Sequence, residues 1–234
     1  MLGSSLTIKP DLPFEVEVQR SRRKSAVIYV RNGKAEVRVP NRTPNYWVKQ
    51  FVHEKRDWIE QQLLAERERK SEQYSLRDGA NIPYLGQTLQ IKHLANAEIS
   101  ISDDKLILPA DDLFTDTAKD FHRWLKDQAT DYIVPLAKEL AEQASVEDKL
   151  RNIKFKKTKS RWGHCTREGD IQFNWLIMLG PPEVVHYLVA HEVCHLVHMN
   201  HSRAYWAVVD TICPERKAAQ KWLRANEHRV LALH

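Results

Sequence analysis

Residues 186–206 read HYLVAHEVCHLVHMNHSRAYW, and this stretch decides how the chain is understood. His191 and His195 are four residues apart, with Glu192 directly after the first. On an α-helix, side chains four apart stand one turn above each other on one face, so both imidazoles can point at a single ion. Glu192 then lies beside that ion. There it can take a proton from a metal-bound water and pass it to a leaving amine, while the metal acidifies the water and polarises the carbonyl. The pattern His-Glu-x-x-His on a helix therefore points to zinc-dependent hydrolysis, and to peptide bonds first. A catalytic zinc usually takes three protein ligands and keeps one position for water. The third donor must come from beyond the helix. His201 is the candidate: it follows His195 by six residues, past Met199 and Asn200, where the helix can break and the chain turn back.

Working outward, Gly180-Pro181-Pro182 introduces this helix, which is expected from near Glu183 to about Met199. Helices over 202–211 and 215–231, with Pro214 at their junction, close the chain. Upstream, RNIKFKKTKSRWGHC (151–165) and DIQFNWLIML (170–179) read as strands around a turn at Gly169. A helix is expected over 115–144, with Ala118, Phe121, Leu125, Ala129, Ile133, Leu136 and Leu140 on one side and a kink at Pro135. The first half is β-rich. Residues 14–40 alternate, and Asn32-Gly33 between AVIYV and AEVRV is a strong hairpin signal. Thr43-Pro44 opens one helix carrying Trp47, Phe51, Trp58, Ile59 and Leu63, and residues 81–109 form a second group of strands.

With 234 residues, 42% hydrophobic and 29% charged, the chain has the composition of an ordinary globular protein with room for a substantial core. Cys165, Cys194 and Cys213 are too few and too far apart for a disulfide framework, which points to a reducing compartment, the cytoplasm by default. The first eighteen residues lack the basic stretch and apolar run of a secretory signal, and no segment is long and apolar enough to span a bilayer. No membrane association is expected. The net charge of +5 is scattered along the chain and argues only weakly for a nucleic-acid partner. Nothing in the sequence specifies an oligomeric state.

The chain resembles the YgjP-like metallopeptidase family and, more distantly, SprT and Spartan-type zinc proteases. The residues that carry the resemblance are Ser160-Arg161-Trp162-Gly163-His164-Cys165, Phe173-Asn174-Trp175, Pro181-Pro182-Glu183-Val184-Val185 and HEVCHLVHMNHSRAYW. The resemblance implies that His191, His195 and His201 bind one zinc ion per chain, with Glu192 as general acid/base. It favours His201 over a downstream glutamate such as Glu215 or Glu227. Its implied fold is α+β: a zincin-like half over 113–234, with a small antiparallel sheet beside the metal helix, and a β-rich N-terminal region over 1–112. An extended peptide substrate would then align along the strand at 171–177. The six-residue offset to His201 is also that of metzincins, but they carry a glycine where this chain has His198, so that likeness is set aside. Within the family pattern, His164 stands where serine is usual, His186 where an acidic residue is common, and Tyr205 where phenylalanine is frequent.

Other residues near the motif have plainer readings. His186 and His198 could stabilise an oxyanion, but surface positions explain them as well. Tyr187 and Tyr205, one turn from a candidate ligand each, are expected to pack in the core. Cys165 and Cys194 read as buried thiols. Residues 151–161 hold six basic side chains, and the distant likeness to Spartan-type proteases makes a nucleic-acid partner or a DNA-protein crosslink protease one alternative. A half-exposed strand gives the same alternation of Ile153, Lys154, Phe155 and Lys156. A non-peptide amide hydrolase using the same metal is the other alternative.

Overall fold

Alternating burial shapes the first sheet of the structure, a computed structural model that describes residues 5–8, 12–110 and 116–233. Strands β1 (Ser5–Ile8), β2 (Val16–Ser21), β3 (Val27–Arg31) and β4 (Lys34–Pro40) lie in the order β1-β2-β4-β3. Val16 and Val18 of β2 and Ala35, Val37 and Val39 of β4 point into one core, as a two-residue period requires. The β3–β4 hairpin turns at Asn32 and Gly33, with φ of 53° and 74°, the left-handed pair that a tight two-residue turn needs. Glu66 accepts hydrogen bonds from the backbone N–H of Asn32 (2.6 Å) and Gly33 (3.0 Å), which pins the turn.

The single helix expected after Pro44 is in fact two, α1 (Asn45–Glu54) and α2 (Arg56–Ser71), parted at Lys55. Periodicity could not register this break. Val52 and Ile59, buried on either side of it, are seven residues apart, close to two full turns, so the apolar stripe runs through in phase.

By its contacts the chain divides into two units, residues 1–72 and 73–234. The division does not coincide with the boundary expected after residue 112. Strands β5 (Asn81–Tyr84), β6 (Gln87–Leu94), β7 (Ser100–Ser102) and β8 (Lys105–Pro109), ordered β5-β6-β8-β7, put Ile82, Leu89, Ile91, Leu106 and Leu108 into the core of the second unit.

That core is organised around two helices. In α3 (Thr117–Gln143), Phe121, Leu125, Ala129, Ile133, Ala137 and Leu140 form the buried stripe, Pro135 lies inside, and Asp116 caps the first turn by accepting from the N–H of Lys119 at 3.1 Å. Helix α4 (Pro182–Cys194) is covered nearly all round, with Val184, Val185, Leu188, Val189, Ala190 and Val193 buried. Its ending at Cys194 is earlier than the sequence suggested. Helices α5 (Arg203–Ile212) and α6 (Arg216–Val230) follow.

A three-stranded sheet completes this unit: β9 (Asn152–Phe155), β10 (Gly163–Cys165) and β11 (Asp170–Phe173) in the order β10-β11-β9. Two expectations are corrected here. The sheet is mixed, because β11 pairs antiparallel with β10 but parallel with β9. The strand at 171–177 cannot offer an edge to a peptide, since β11 is flanked on both sides and residues Trp175–Leu179 form a 3-10 helix. Asn174 marks the change of structure: its side-chain oxygen accepts the N–H of Leu176 at 3.1 Å, capping the 3-10 helix where the strand ends. Among the described residues, no helix is long and apolar enough to cross a membrane.

Candidate metal centre

Helix α4 delivers His191 near its end and His195 at its C-cap, and the chain then turns through residues 196–200 to bring His201 alongside. One ring nitrogen from each of the three lies within 4.8 Å of the others, so the set could hold a metal ion. The ring centroids are 4.8–5.0 Å apart. Nε2 of His201 stands 3.2 Å from Nε2 of His191. The three sequence candidates are thus brought together.

The outer ring nitrogens fix which inner ones carry lone pairs. Nδ1 of His195 faces the backbone carbonyl of His198 at 3.1 Å. A carbonyl can only accept, so Nδ1 carries the proton and Nε2 is left free as a donor atom for a metal. Nδ1 of His191 lies 2.7 Å from the Tyr205 hydroxyl, whose own proton goes to the backbone carbonyl of His191 at 2.9 Å. The tyrosine oxygen must therefore accept from Nδ1–H, and Nε2 of His191 is likewise free. Such partners orient ligand imidazoles and set their tautomer.

Tyr205 was expected to pack in the core. It does, with no exposed surface, yet its hydroxyl is also the main support of His191. Tyr187 adds a longer contact, 3.4 Å from the same Nδ1, with its oxygen held by Gln220 at 2.9 Å. Gln220, on α6, carries no signal in the sequence and was missed. Ser202 caps α5 by accepting from the N–H of Tyr205, which fixes where that tyrosine enters. The exposed His201 stacks on Trp206 (5.5 Å, 22°), and the Arg216 guanidinium covers the same indole at 4.4 Å.

Burial and mutual repulsion disfavour protons on these histidines. Desolvation first, then the neighbouring His195 and His201, push His191 down to about 3, and desolvation lowers His195 as well. Glu192 is only 4% exposed, and burial pushes its carboxyl up to about 8. His198 serves through its carbonyl. His164 is exposed on β10, His186 is half-buried, and Cys165 and Cys194 are buried free thiols. In the basic segment, Lys154 pairs with Asp170, and Lys157 donates to the carbonyl of Leu233, so part of it serves the fold. Beside His195, a cleft of about 390 Å³ opens between the β10–β11 turn at Arg167 and Glu168 and the residues that follow α4.

The YgjP-like, metallopeptidase domain family model matches residues 24–226 of the chain. That family is one of metallopeptidases, which makes this a metal-dependent peptidase by class. With most of its length matched, the chain is a member of the YgjP-like metallopeptidase family. No curated protein matches it.

Proposed function

We propose that this chain is a zinc metallopeptidase of zincin-like layout, in which His191, His195 and His201 hold one zinc ion and Glu192 is the general acid/base. The observation that carries the reading is the pair of preset imidazoles. Two preset lone pairs, on the half-buried His191 and the buried His195, converge where His201 also arrives, and the 3.2 Å between Nε2 of His191 and Nε2 of His201 is close to the tetrahedral edge of about 3.3 Å set by zinc–nitrogen bonds of ~2.0–2.1 Å. Three neutral nitrogen donors suit zinc among the common divalent ions. Bound there, zinc would act as a Lewis acid toward a water and the substrate carbonyl.

The chain's own residues do the rest. Glu192 accepts a proton at a carboxylate oxygen from the attacking water and returns it to the leaving amine nitrogen. The burial that raises its proton affinity makes it basic enough for the first step, and a metal cation held beside it would moderate that rise and favour the ionised form. Strand β10 replaces β11 as the place for an extended peptide. Trp162 accepts from the N–H of Asn174, and the N–H of Thr166 donates to Asp170. By alternation, His164 bonds inward to β11, while the N–H and C=O of Gly163 and Cys165 face outward. Those outward groups support pairing with a substrate backbone. Buried free thiols fit a reducing compartment, and we assign the protein to the cytoplasm.

Elemental analysis of wild type, His191→Ala and Glu192→Gln, together with cleavage of a mixed peptide library, tests this reading. Expected are about one zinc per chain in wild type and Glu192→Gln, loss of zinc in His191→Ala, and cleavage by wild type alone. A wild type that takes up no metal when zinc is supplied in excess would overturn it.

A further inference from the structure

Glycine 163 differs from the turn glycines of this chain. Gly33, Gly79, Gly86 and Gly169 have positive φ, whereas Gly163 sits within β10 without a left-handed backbone. Its missing side chain must have another reason, and the space beside it supplies one. A Cβ placed on Gly163 would fall 2.3 Å from Oε1 of Glu192 and 2.7 Å from both its Cδ and Cγ. All three nearest atoms belong to that one side chain.

Neither partner has an easy retreat. The clash involves the carboxylate and the carbon before it, so rotating the terminal group alone cannot relieve it. Glu192 is itself only 4% exposed, so its side chain has little open space to move into. The strand is fastened too: Asn174, 1% exposed, donates its N–H to Trp162 at 2.7 Å and its side-chain N–H to the carbonyl of Thr158 at 3.1 Å. One register step from Trp162, Gly163 pairs with the fully buried Phe173.

We infer that Gly163 is a positioning residue for Glu192: the bare backbone of β10 forms the wall against which the carboxylate rests, and this wall, together with α4, sets where the base stands relative to the three histidines. The inference rests on the proposed role of Glu192. It also joins that role to the substrate edge, because the residue that seats the carboxylate is one whose N–H and C=O face outward.

The test is a double-substitution cycle on the full chain, read first by thermal melting of the metal-free protein. Gly163→Ala should lower the melting temperature by roughly 3–10 °C when Glu192 is present, as overpacking of a closed site does. In the Glu192→Ala background, which removes all three clashing atoms, the same change should cost almost nothing. With zinc supplied, Gly163→Ala should still bind about one metal per chain. On a cleaved peptide, it should lose on the order of 100-fold in kcat with KM changed less than about threefold, the mark of a displaced catalytic group. It should add no further loss to Glu192→Gln. Equal melting shifts with and without the Glu192 side chain, or full kcat in Gly163→Ala beside an inactive Glu192→Gln, would overturn the inference. An active Glu192→Gln would instead overturn the proposed function, while the melting cycle would still report on the contact.

Discussion

Tyr205→Phe removes one oxygen from a fully buried ring, and the structure sets what that oxygen does. Near the end of α4 the helix tightens: the N–H of His195 donates to the carbonyl of Glu192 at 3.2 Å instead of to that of His191. The released carbonyl of His191 is taken by the Tyr205 hydroxyl at 2.9 Å, and the same oxygen accepts from Nδ1–H of His191 at 2.7 Å. Phenylalanine keeps the packing and leaves both groups without this partner. Each loss costs about 1 kcal/mol, at the low end for a buried group left unsatisfied, because Tyr187 at 3.4 Å remains as a weaker acceptor for Nδ1. About 2 kcal/mol corresponds to a melting-temperature drop of roughly 4–8 °C for a domain of this size. Loss of the group orienting a ligand histidine should also weaken zinc binding about tenfold. The double change Tyr187→Phe with Tyr205→Phe should approach a hundredfold, the upper end for such supports. Competition with a chelator of known affinity measures both. A Tyr205→Phe protein with unchanged zinc affinity would refute the reasoning, because it would show that the tautomer of His191 is fixed by something else.

Two further outcomes follow from the same geometry. His201→Ala should weaken zinc binding less than His191→Ala or His195→Ala in the same chelator competition, because His201 is exposed while the other two are held at Nδ1. Asp170 is held below its usual carboxylate range by the Lys154 ammonium and by the Asn152 side chain, so its contribution to stability is present above that range and lost as pH falls through the lowered value. Asp170→Asn should accordingly melt below wild type near pH 6, with the difference shrinking as pH falls below the usual carboxylate range, in a pH series of melts.

Much of the centre was legible because its chemistry is local. His191, Glu192 and His195 stand out by helical spacing, and His201 by an expected helix break, although the helix ends at Cys194 and not at Met199-Asn200. What sequence could not supply were the contacts that hold these residues. Tyr205 is fourteen residues beyond His191 and Gln220 a further fifteen, and no period links a tyrosine on α5 or a glutamine on α6 to an imidazole on α4. The fold shows the same division. The Asn32-Gly33 hairpin was readable because two residues carry the whole signal. The place of β11 between two partners was not, since strand order depends on pairing between distant segments, and the run through Trp175–Leu179 gives no apolar cue to its change of structure.

The supports also imply a direction of assembly for the metal site. In the metal-free protein His191 presents a lone pair at Nε2, because its proton is committed to Tyr205. Nε2 of His201, 3.2 Å away, can meet that lone pair only by carrying its own hydrogen. A cation needs the opposite tautomer from His201 and no change from His191 or His195. The rearrangement therefore falls on the one ligand that is exposed and outside the helix, whose ring lies on Trp206 instead of being pinned at both nitrogens. With His195 buried, His191 half-buried and both preset at Nδ1, His201 is under the proposed assignment the residue that adapts, and a metal bound there would enter from its side and would offset the desolvation and mutual repulsion that keep these imidazoles proton-poor.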